Sequence, residues 1–257
     1  MFPLIDTHCH VHPGLDDGPA DWDEALEMCS IAWNDGVRAV AATAHQSPSW
    51  PRATPERIRR STRQLQRRLE AARIPLDVYP CAEVMVDPDL PEAWIRGELL
   101  SVADTCHYLL IEFPTGVFVD LSEIVTELVE SGVRPILAHP ERCAELLHAP
   151  EAAADLIRRG CLMQVTADSL TDQYPQLHGD LRSWLRRGWV HLVASDGHSP
   201  HDRPPEMAEA FEKITRWTSP DVAERLCCSN GMAVLEGLPL VVPHPHPPKR
   251  KWFSLRV

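Results

Sequence analysis

The sequence has no run of apolar residues approaching the roughly 20 needed to cross a bilayer, so no transmembrane segment is expected. Asp6 and His8 interrupt the N-terminus where a secretory leader needs an unbroken apolar stretch, so no signal peptide is expected either. None of the eight cysteines forms a Cys-x-x-Cys pair, which gives a thiol-based redox function little support. None has an arginine six positions on, which excludes the Cys-x5-Arg loop of the cysteine phosphatases. A Gly-x-Ser-x-Gly elbow, a P-loop and a Gly-x-Gly-x-x-Gly fingerprint are absent. A repeat of fixed period is absent too, which excludes a solenoid. The net charge of −12 leaves no general affinity for nucleic acid. These absences describe a cytoplasmic protein with reduced thiols.

What the chain does have is a pattern. Seven short apolar runs occur, at Phe2–Ile5, Val37–Thr43, Leu76–Ala82, Tyr108–Ile111, Val133–Ala138, Cys161–Thr166 and Val190–Ala194. Amphipathic segments of helical length lie between most of them, and this alternation predicts a parallel sheet, open or closed into a barrel. The first helix is expected over Asp21–Asn34, with Asp21 as N-cap, Gly36 past its end, and Ala25, Met28, Cys29, Ala32 and Trp33 facing the sheet. The second opens with Thr54 and Pro55 and buries Ile58, Leu65 and Leu69. It also carries Arg57, Arg59, Arg60, Arg63, Arg67, Arg68 and Arg73, either as a solvated face or as a docking surface for an acidic peptide. Further helices are expected near Pro91–Arg96, Leu121–Ser131, Pro150–Arg159, Leu181–Arg187, Pro205–Trp217 and Pro220–Cys228. The folded domain is expected to cover 1–237, leaving 238–257 as a proline-rich, basic, loosely ordered tail.

The chemistry lies at the ends of the apolar runs. The first leads into His8 and His10, whose i, i+2 spacing puts both imidazoles on one face of a strand and Cys9 on the other. The second ends at His45, the third at Glu83, the fourth at Glu112 and the fifth at His139. The seventh ends at Asp196 with His198 beyond; only the sixth, Gln164-Val165-Thr166-Ala167-Asp168, lacks an evident ligand. In a parallel barrel every strand end opens on one mouth, so residues scattered over the chain converge there. The turn Gly14-Leu15-Asp16-Asp17-Gly18-Pro19 adds a carboxylate pair beside this cluster, one member of which is expected as a ligand.

Imidazole and carboxylate without thiolate suit manganese, iron or zinc, and nine candidate ligands exceed the needs of one ion. Two or three ions should therefore share them, activate a water and clamp the oxygens of a phosphoryl group. Arg142, three residues after His139, and Arg203, five after His198, carry guanidinium forks that match phosphate oxygens.

The residues Asp6-Thr7-His8-Cys9-His10, Asp16-Asp17-Gly18-Pro19, His45, Glu83, Glu112, His139-Pro140-Glu141-Arg142 and Ser195-Asp196-Gly197-His198 resemble the PHP (polymerase and histidinol phosphatase) superfamily. The Asp-Asp-Gly-Pro turn and the run Arg203-Pro204-Pro205-Glu206-Met207 resemble its bacterial capsule and exopolysaccharide tyrosine phosphatases in particular. The resemblance implies a distorted (β/α)7 barrel with a manganese-type centre of two or three ions. It implies His8, His10 and Asp196 on one ion, with Glu83 bridging to a second held also by Glu112 and His139. Asp17, His45 and His198 hold the third, and Arg142 and Arg203 contact phosphate. It implies phosphotyrosine on the tail of a tyrosine autokinase as substrate. Other phosphoesterases of the superfamily, such as histidinol phosphatase, and a catalytically silent phosphotyrosine-binding module are the alternatives. Two places depart from the family pattern: the loop Gln46–Thr54, and Cys143 where tyrosine is common.

Overall fold

Each apolar run becomes a parallel strand, and most extend past the run into the polar residues that follow it. The strands are β1 (Leu4–His10), β2 (Val37–Gln46), β3 (Asp77–Met85), β4 (Tyr108–Glu112), β5 (Arg134–Ala138), β6 (Leu162–Thr166) and β7 (Leu192–Ala194). The structure is a computed structural model and describes residues 2–114 and 116–240; most of the tail expected at 238–257 lies outside them. The strands are ordered β1 to β7 as in the sequence, each hydrogen-bonded in parallel to the next. At the mouth the two edges meet. The Asp196 N–H donates to the His8 carbonyl and the His10 N–H to the Gly197 carbonyl, both at 2.8 Å. The result is a near-closed seven-stranded barrel, as expected.

The register of β1 explains how its histidines reach the inside. Ile5 packs in the barrel interior with Ala39, Ala41, Leu110, Ile136, Leu162 and Leu192. Strict alternation would then turn residues 6, 8 and 10 outward. The pairing with β2 shifts between Asp6 and Cys9, adding one residue to β1, and this irregularity flips the parity so that His8 and His10 point inward. The floor below them is sealed by Val234 and Leu235 from the last helix and by Val102. Gly231 makes that approach possible, since a Cβ there would lie 2.9 Å from the Ile5 Cβ.

The helices form the outer layer: α1 (Trp22–Asp35), α2 (Pro55–Ala72), α3 (Leu90–Ile95), α4 (Ser122–Glu130), α5 (Ala144–His148), α6 (Pro150–Arg158), α7 (Ala167–Leu170), α8 (His178–Arg187), α9 (Ala208–Trp217), α10 (Pro220–Glu224) and α11 (Asn230–Leu235). Asp21 caps α1 by accepting the Asp23 and Glu24 N–H groups, and Gly36 closes it at φ 108°. Trp33 departs from its expected place: it is half-buried, with the Arg38 guanidinium 3.7 Å above its ring. Thr54 caps α2, which buries Ile58, Thr62, Leu65 and Leu69. The short α5, which follows a 3-10 turn at Pro140–Arg142, and α7, directly after β6, were not expected, because so few residues carry no periodic stripe. One π turn at Arg225–Ser229, burying Cys227 and Cys228, joins α10 to α11. Leu238–Leu240 fold back under the barrel, where the Tyr108 hydroxyl donates to the Leu238 carbonyl and accepts the Leu240 N–H. Among the described residues no helix is long and apolar enough to cross a membrane.

Candidate metal centre and active site

Strand ends deliver eight of the nine expected ligands to one mouth, and the loop after β1 delivers Asp17. Three groups of donor atoms lie close enough to share ions: His8, His10 and Asp196; His45, Glu83 and Glu112; and His10, Asp17, His45 and His198. His139 joins at the edge, its Nε2 2.8 Å from Glu83 Oε1 and 4.0 Å from Glu112 Oε2. The grouping differs from that implied by the resemblance: His45 takes the place of His139 beside Glu83 and Glu112, and His10 and His45 each belong to two groups.

The spacing has a physical meaning. Glu83 Oε2 is buried and accepts no hydrogen bond, yet His8 Nε2, His10 Nε2 and His45 Nδ1 lie 3.3, 3.3 and 3.1 Å from it. His8 Nε2 and His10 Nε2 are 3.0 Å apart. Donors about 2.1 Å from a shared ion are separated by about 3.0 Å in an octahedron and about 3.4 Å in a tetrahedron. An orphaned carboxylate oxygen ringed by nitrogens at that spacing fits a metal-binding cluster.

Outer partners fix the imidazoles. His10 Nδ1 lies 2.6 Å from Asp16 Oδ2, which also accepts the His45 N–H at 2.9 Å. Of the aspartate pair, Asp16 is thus the buried orienter, while the half-exposed Asp17 side chain faces His45 and His198. His8 Nδ1 lies 3.0 Å from Gln164 Oε1, and the Gln164 amide donates to Thr7 Oγ1 at 2.9 Å. His198 Nδ1 lies 2.8 Å from the Asp196 carbonyl. In each of these three the Nδ1 proton goes to an outer acceptor, so Nε2 is the nitrogen turned toward the centre.

The electrostatics favour cations. Burial opposes ionisation of Glu83 and Asp196, but the surrounding histidines hold both carboxyls well below the usual range. Burial likewise opposes a charge on His10 and His45, yet their carboxylate neighbours win and raise both, His10 to about 9. His198, buried and stacked 4.0 Å from the His10 ring, is lowered to about 3 and stays in the neutral, ligating form.

Arg142 and Arg203 converge on Asp196. Arg142 donates to Asp196 Oδ2 at 2.6 Å and Arg203 to the same oxygen, while Asp196 Oδ1 faces His8 and His10. Asp196 and His139 hold left-handed backbone conformations, at φ 54° and 34°, where non-glycine residues are strained. Next to Arg142 in the chain, Glu141 is buried and ties this turn to β6, accepting the Thr166 N–H at 2.8 Å and its hydroxyl at 3.0 Å. Both arginines, the candidate ligands Asp17, His45, Glu83 and Glu112, and an apolar lip of Phe113, Pro114 and Val117 line a cavity of about 450 Å³.

Sequence reasoning missed Gln164 and Glu141. The signal for Gln164 was the missing ligand at the end of β6: an uncharged polar residue there still faces the centre. His12 continues the alternation of His8 and His10 but turns away, its Nε2 2.9 Å from the Ala42 carbonyl and its Nδ1 3.0 Å from Ser61 Oγ. The His-Pro-His stretch of the tail lies outside the described residues.

Comparison with known proteins agrees with this geometry. The family model for capsular polysaccharide synthesis, CpsB/CapC, matches residues 4–236. The chain is 30% identical over 250 residues to the tyrosine-protein phosphatase YwqE of Bacillus subtilis, covering 96% of this chain and 98% of that protein. It is 25% identical over 240 residues to the tyrosine-protein phosphatase CpsB of Streptococcus agalactiae, covering 91% and 98%. Among solved structures, one from work on YwqE of Bacillus subtilis and CpsB of Streptococcus pneumoniae, described as metal-dependent tyrosine phosphatases, superposes with a TM-score of 0.89 at 31% identity. It covers 96% of this chain and all of that one. A dihydropyrimidinase from Brevibacillus agri, at 11% identity and a TM-score of 0.54 over 95% of this chain and 74% of that one, shares the fold alone.

Proposed function

The chain belongs to the CpsB/CapC family of capsular polysaccharide synthesis, and from that premise we propose that it hydrolyses phosphotyrosine on a protein substrate, the tail of a tyrosine autokinase that controls polysaccharide export. It is a metal-dependent tyrosine-protein phosphatase. The observation that carries the reading is the pair Arg142 and Arg203 anchored on Asp196, the residue that also faces the histidine cluster.

His8, His10, Asp17, His45, Glu83, Glu112, His139, Asp196 and His198 would hold two or three ions; the mixed donor set suits manganese, iron or zinc, and the family resemblance puts manganese first. Such ions, when bound, lower the pKa of water to supply a nucleophile at neutral pH and neutralise phosphoryl oxygens. The protein's own residues do the rest. Arg142 and Arg203, each tied to Asp196 through one terminal nitrogen, keep further N–H donors free for phosphate at the cavity wall. Gln164 and Asp16 keep the Nδ1 protons of His8 and His10 away from the centre. None of the ligating histidines is free to protonate a leaving group, which favours a phenolate, with pKa about 10, over a far more basic alkoxide. The domain is proposed to end near 237.

The test compares kcat/KM for a phosphotyrosine peptide, an aryl phosphate, a phosphoserine peptide and histidinol phosphate at one manganese concentration. The first two are expected ahead, with all activity lost on chelation. Histidinol phosphate clearly ahead would overturn the assignment.

A further inference from the structure

The arginines of α2 take no part in the centre, yet they are arranged rather than scattered. Ile58, Leu65 and Leu69 hold one side of the helix in the core. Arg60, Arg63 and Arg67 project from the opposite side, with Arg57 at its upper flank, and all four are exposed. Seven residues separate Arg60 from Arg67, two turns or about 10 Å of helix. Arg59 is already spent in a two-pronged pair with Asp104, and Arg68 lies over the Trp22 ring. Among the described residues, by contrast, no carboxylate lies within ion-pair distance of Arg57, Arg60, Arg63 or Arg67. Glu56, 3.8 Å from Arg59, and Glu70 share this exposed side, and the four arginines still leave it a strip of net positive charge on a chain of net charge −12. It works against the helix, because like charges three and four apart repel and cations in the first turns oppose the helix dipole.

The strip also has a defined place. In this topology the strand ends and the helix starts share the mouth face. β2 delivers His45 to the centre and the chain enters α2 nine residues later, at Thr54, so the strip begins at the rim and runs down the outer wall.

We propose that the outer face of α2 is a docking strip for an acidic segment of the phosphorylated protein, lying some residues away from its phosphotyrosine. The inference rests on the phosphatase reading and names a feature of its substrate. Charge complementarity selects the occupant. A membrane surface is a poorer fit, since a helix that lies on lipid inserts an apolar face and the apolar face of α2 is buried against the outside of the barrel. An extended chain covers about 3.3 Å per residue, so acidic residues six to ten positions from the phosphotyrosine reach about 20–33 Å, enough to leave the mouth and cross the rim.

The experiment uses the full chain with R60E/R63E/R67E and, as a milder companion, R60Q/R63Q/R67Q. Substrates are para-nitrophenyl phosphate, a phosphotyrosine peptide with neutral flanks, and the same peptide with acidic runs six to ten residues from the phosphotyrosine. In the wild type the acidic runs should lower KM about tenfold at low salt, a gain that fades as salt screens it. Both variants should lose this gain while hydrolysing para-nitrophenyl phosphate within about twofold of wild type. A gain that is absent in the wild type, or that persists in a folded variant, overturns the strip. Fluorescence anisotropy of the unphosphorylated acidic peptide tests docking without catalysis: salt-sensitive binding lost in the variants supports the strip even if no phosphotyrosine is hydrolysed, a result that would sink the phosphatase reading alone. Binding of anionic lipid vesicles through these arginines, without binding of the acidic peptide, would also overturn it.

Discussion

Gln164→Leu should weaken metal binding without removing a ligand. Gln164 is buried; its Oε1 lies 3.0 Å from His8 Nδ1 and its amide donates to Thr7. Leucine leaves the His8 Nδ1–H without an acceptor in a buried site, at a cost of about 1–3 kcal/mol. The imidazole can escape that cost by moving its proton to Nε2, but Nε2 is the atom 3.3 Å from both Glu83 and Asp196, and a protonated Nε2 no longer ligates. Either way the penalty falls on the metal-bound state, and removing such outer partners typically costs about 10–100-fold in affinity. Gln164→Glu keeps an acceptor and adds a negative charge, so it should hold affinity at or above that of the wild type. The assay titrates manganese into chelator-stripped protein, following bound metal and aryl phosphatase activity together. In the leucine variant the half-saturating concentration should rise about 10–100-fold, with the rate at saturation largely recovered. An unchanged midpoint in Gln164→Leu, or a glutamate variant as weak as the leucine one, would refute the reasoning.

Arg142→Ala and Arg203→Ala should each lower kcat by about 100-fold with metal content unchanged; Arg142→Lys should not restore the rate, since a point charge cannot reproduce the fork. His191, buried at the start of β7, is lowered to about 3 by burial and by Arg134, so the unfolded chain binds its proton first. The native state is favoured above about pH 6.5 and loses about 1.4 kcal/mol per unit as pH falls from there toward 3. His191→Asn should therefore flatten the acid limb of a melting-temperature profile measured from pH 7.5 to 5, and a parallel loss in both proteins would refute this. Gly231→Ala should destabilise by about 1–3 kcal/mol in denaturant melts, because its Cβ meets Ile5.

The strands were legible because burial on both faces leaves continuous apolar runs, and a run such as Tyr108–Ile111 matches β4 but for the ligand that ends it. Candidate ligands were legible because a parallel barrel sends every strand end to one mouth. Less was visible where structure depends on register. Nothing in Leu4–His10 announces the extra residue that turns both Ile5 and His8 inward. Gln164 and Glu141 were harder to read for a related reason: Gln164 bears no charge, Glu141 does not end a strand, and their roles arise from partners 156 and 25 residues away. Trp33 fell on the inner side of a helical wheel, but the Arg38 side chain offers its ring a surface outside the core.

Asp196 is where the two halves of the site meet, and this decides which substitutions can separate them. Its Oδ1 lies 3.3 Å from His8 Nε2, while its Oδ2 receives both arginines. A metal drawn to Oδ1 and a phosphate drawn to the guanidiniums are thus positioned by one carboxylate, whose left-handed backbone is held by the Asp196 N–H bond to His8 across the barrel seam. Removing the Asp196 side chain would take away a candidate ligand, release two arginines and leave an alanine at a left-handed φ of 54° at once, so a dead Asp196→Ala says nothing about which loss mattered. Gln164 lies behind the histidines and the arginines lie above the carboxylate. A Gln164→Leu variant that needs more manganese but turns over at saturation, beside arginine variants that bind manganese normally but turn over slowly, would assign metal holding and phosphate holding to different side chains. Overlapping phenotypes would mean that Asp196 transmits each change to the other half.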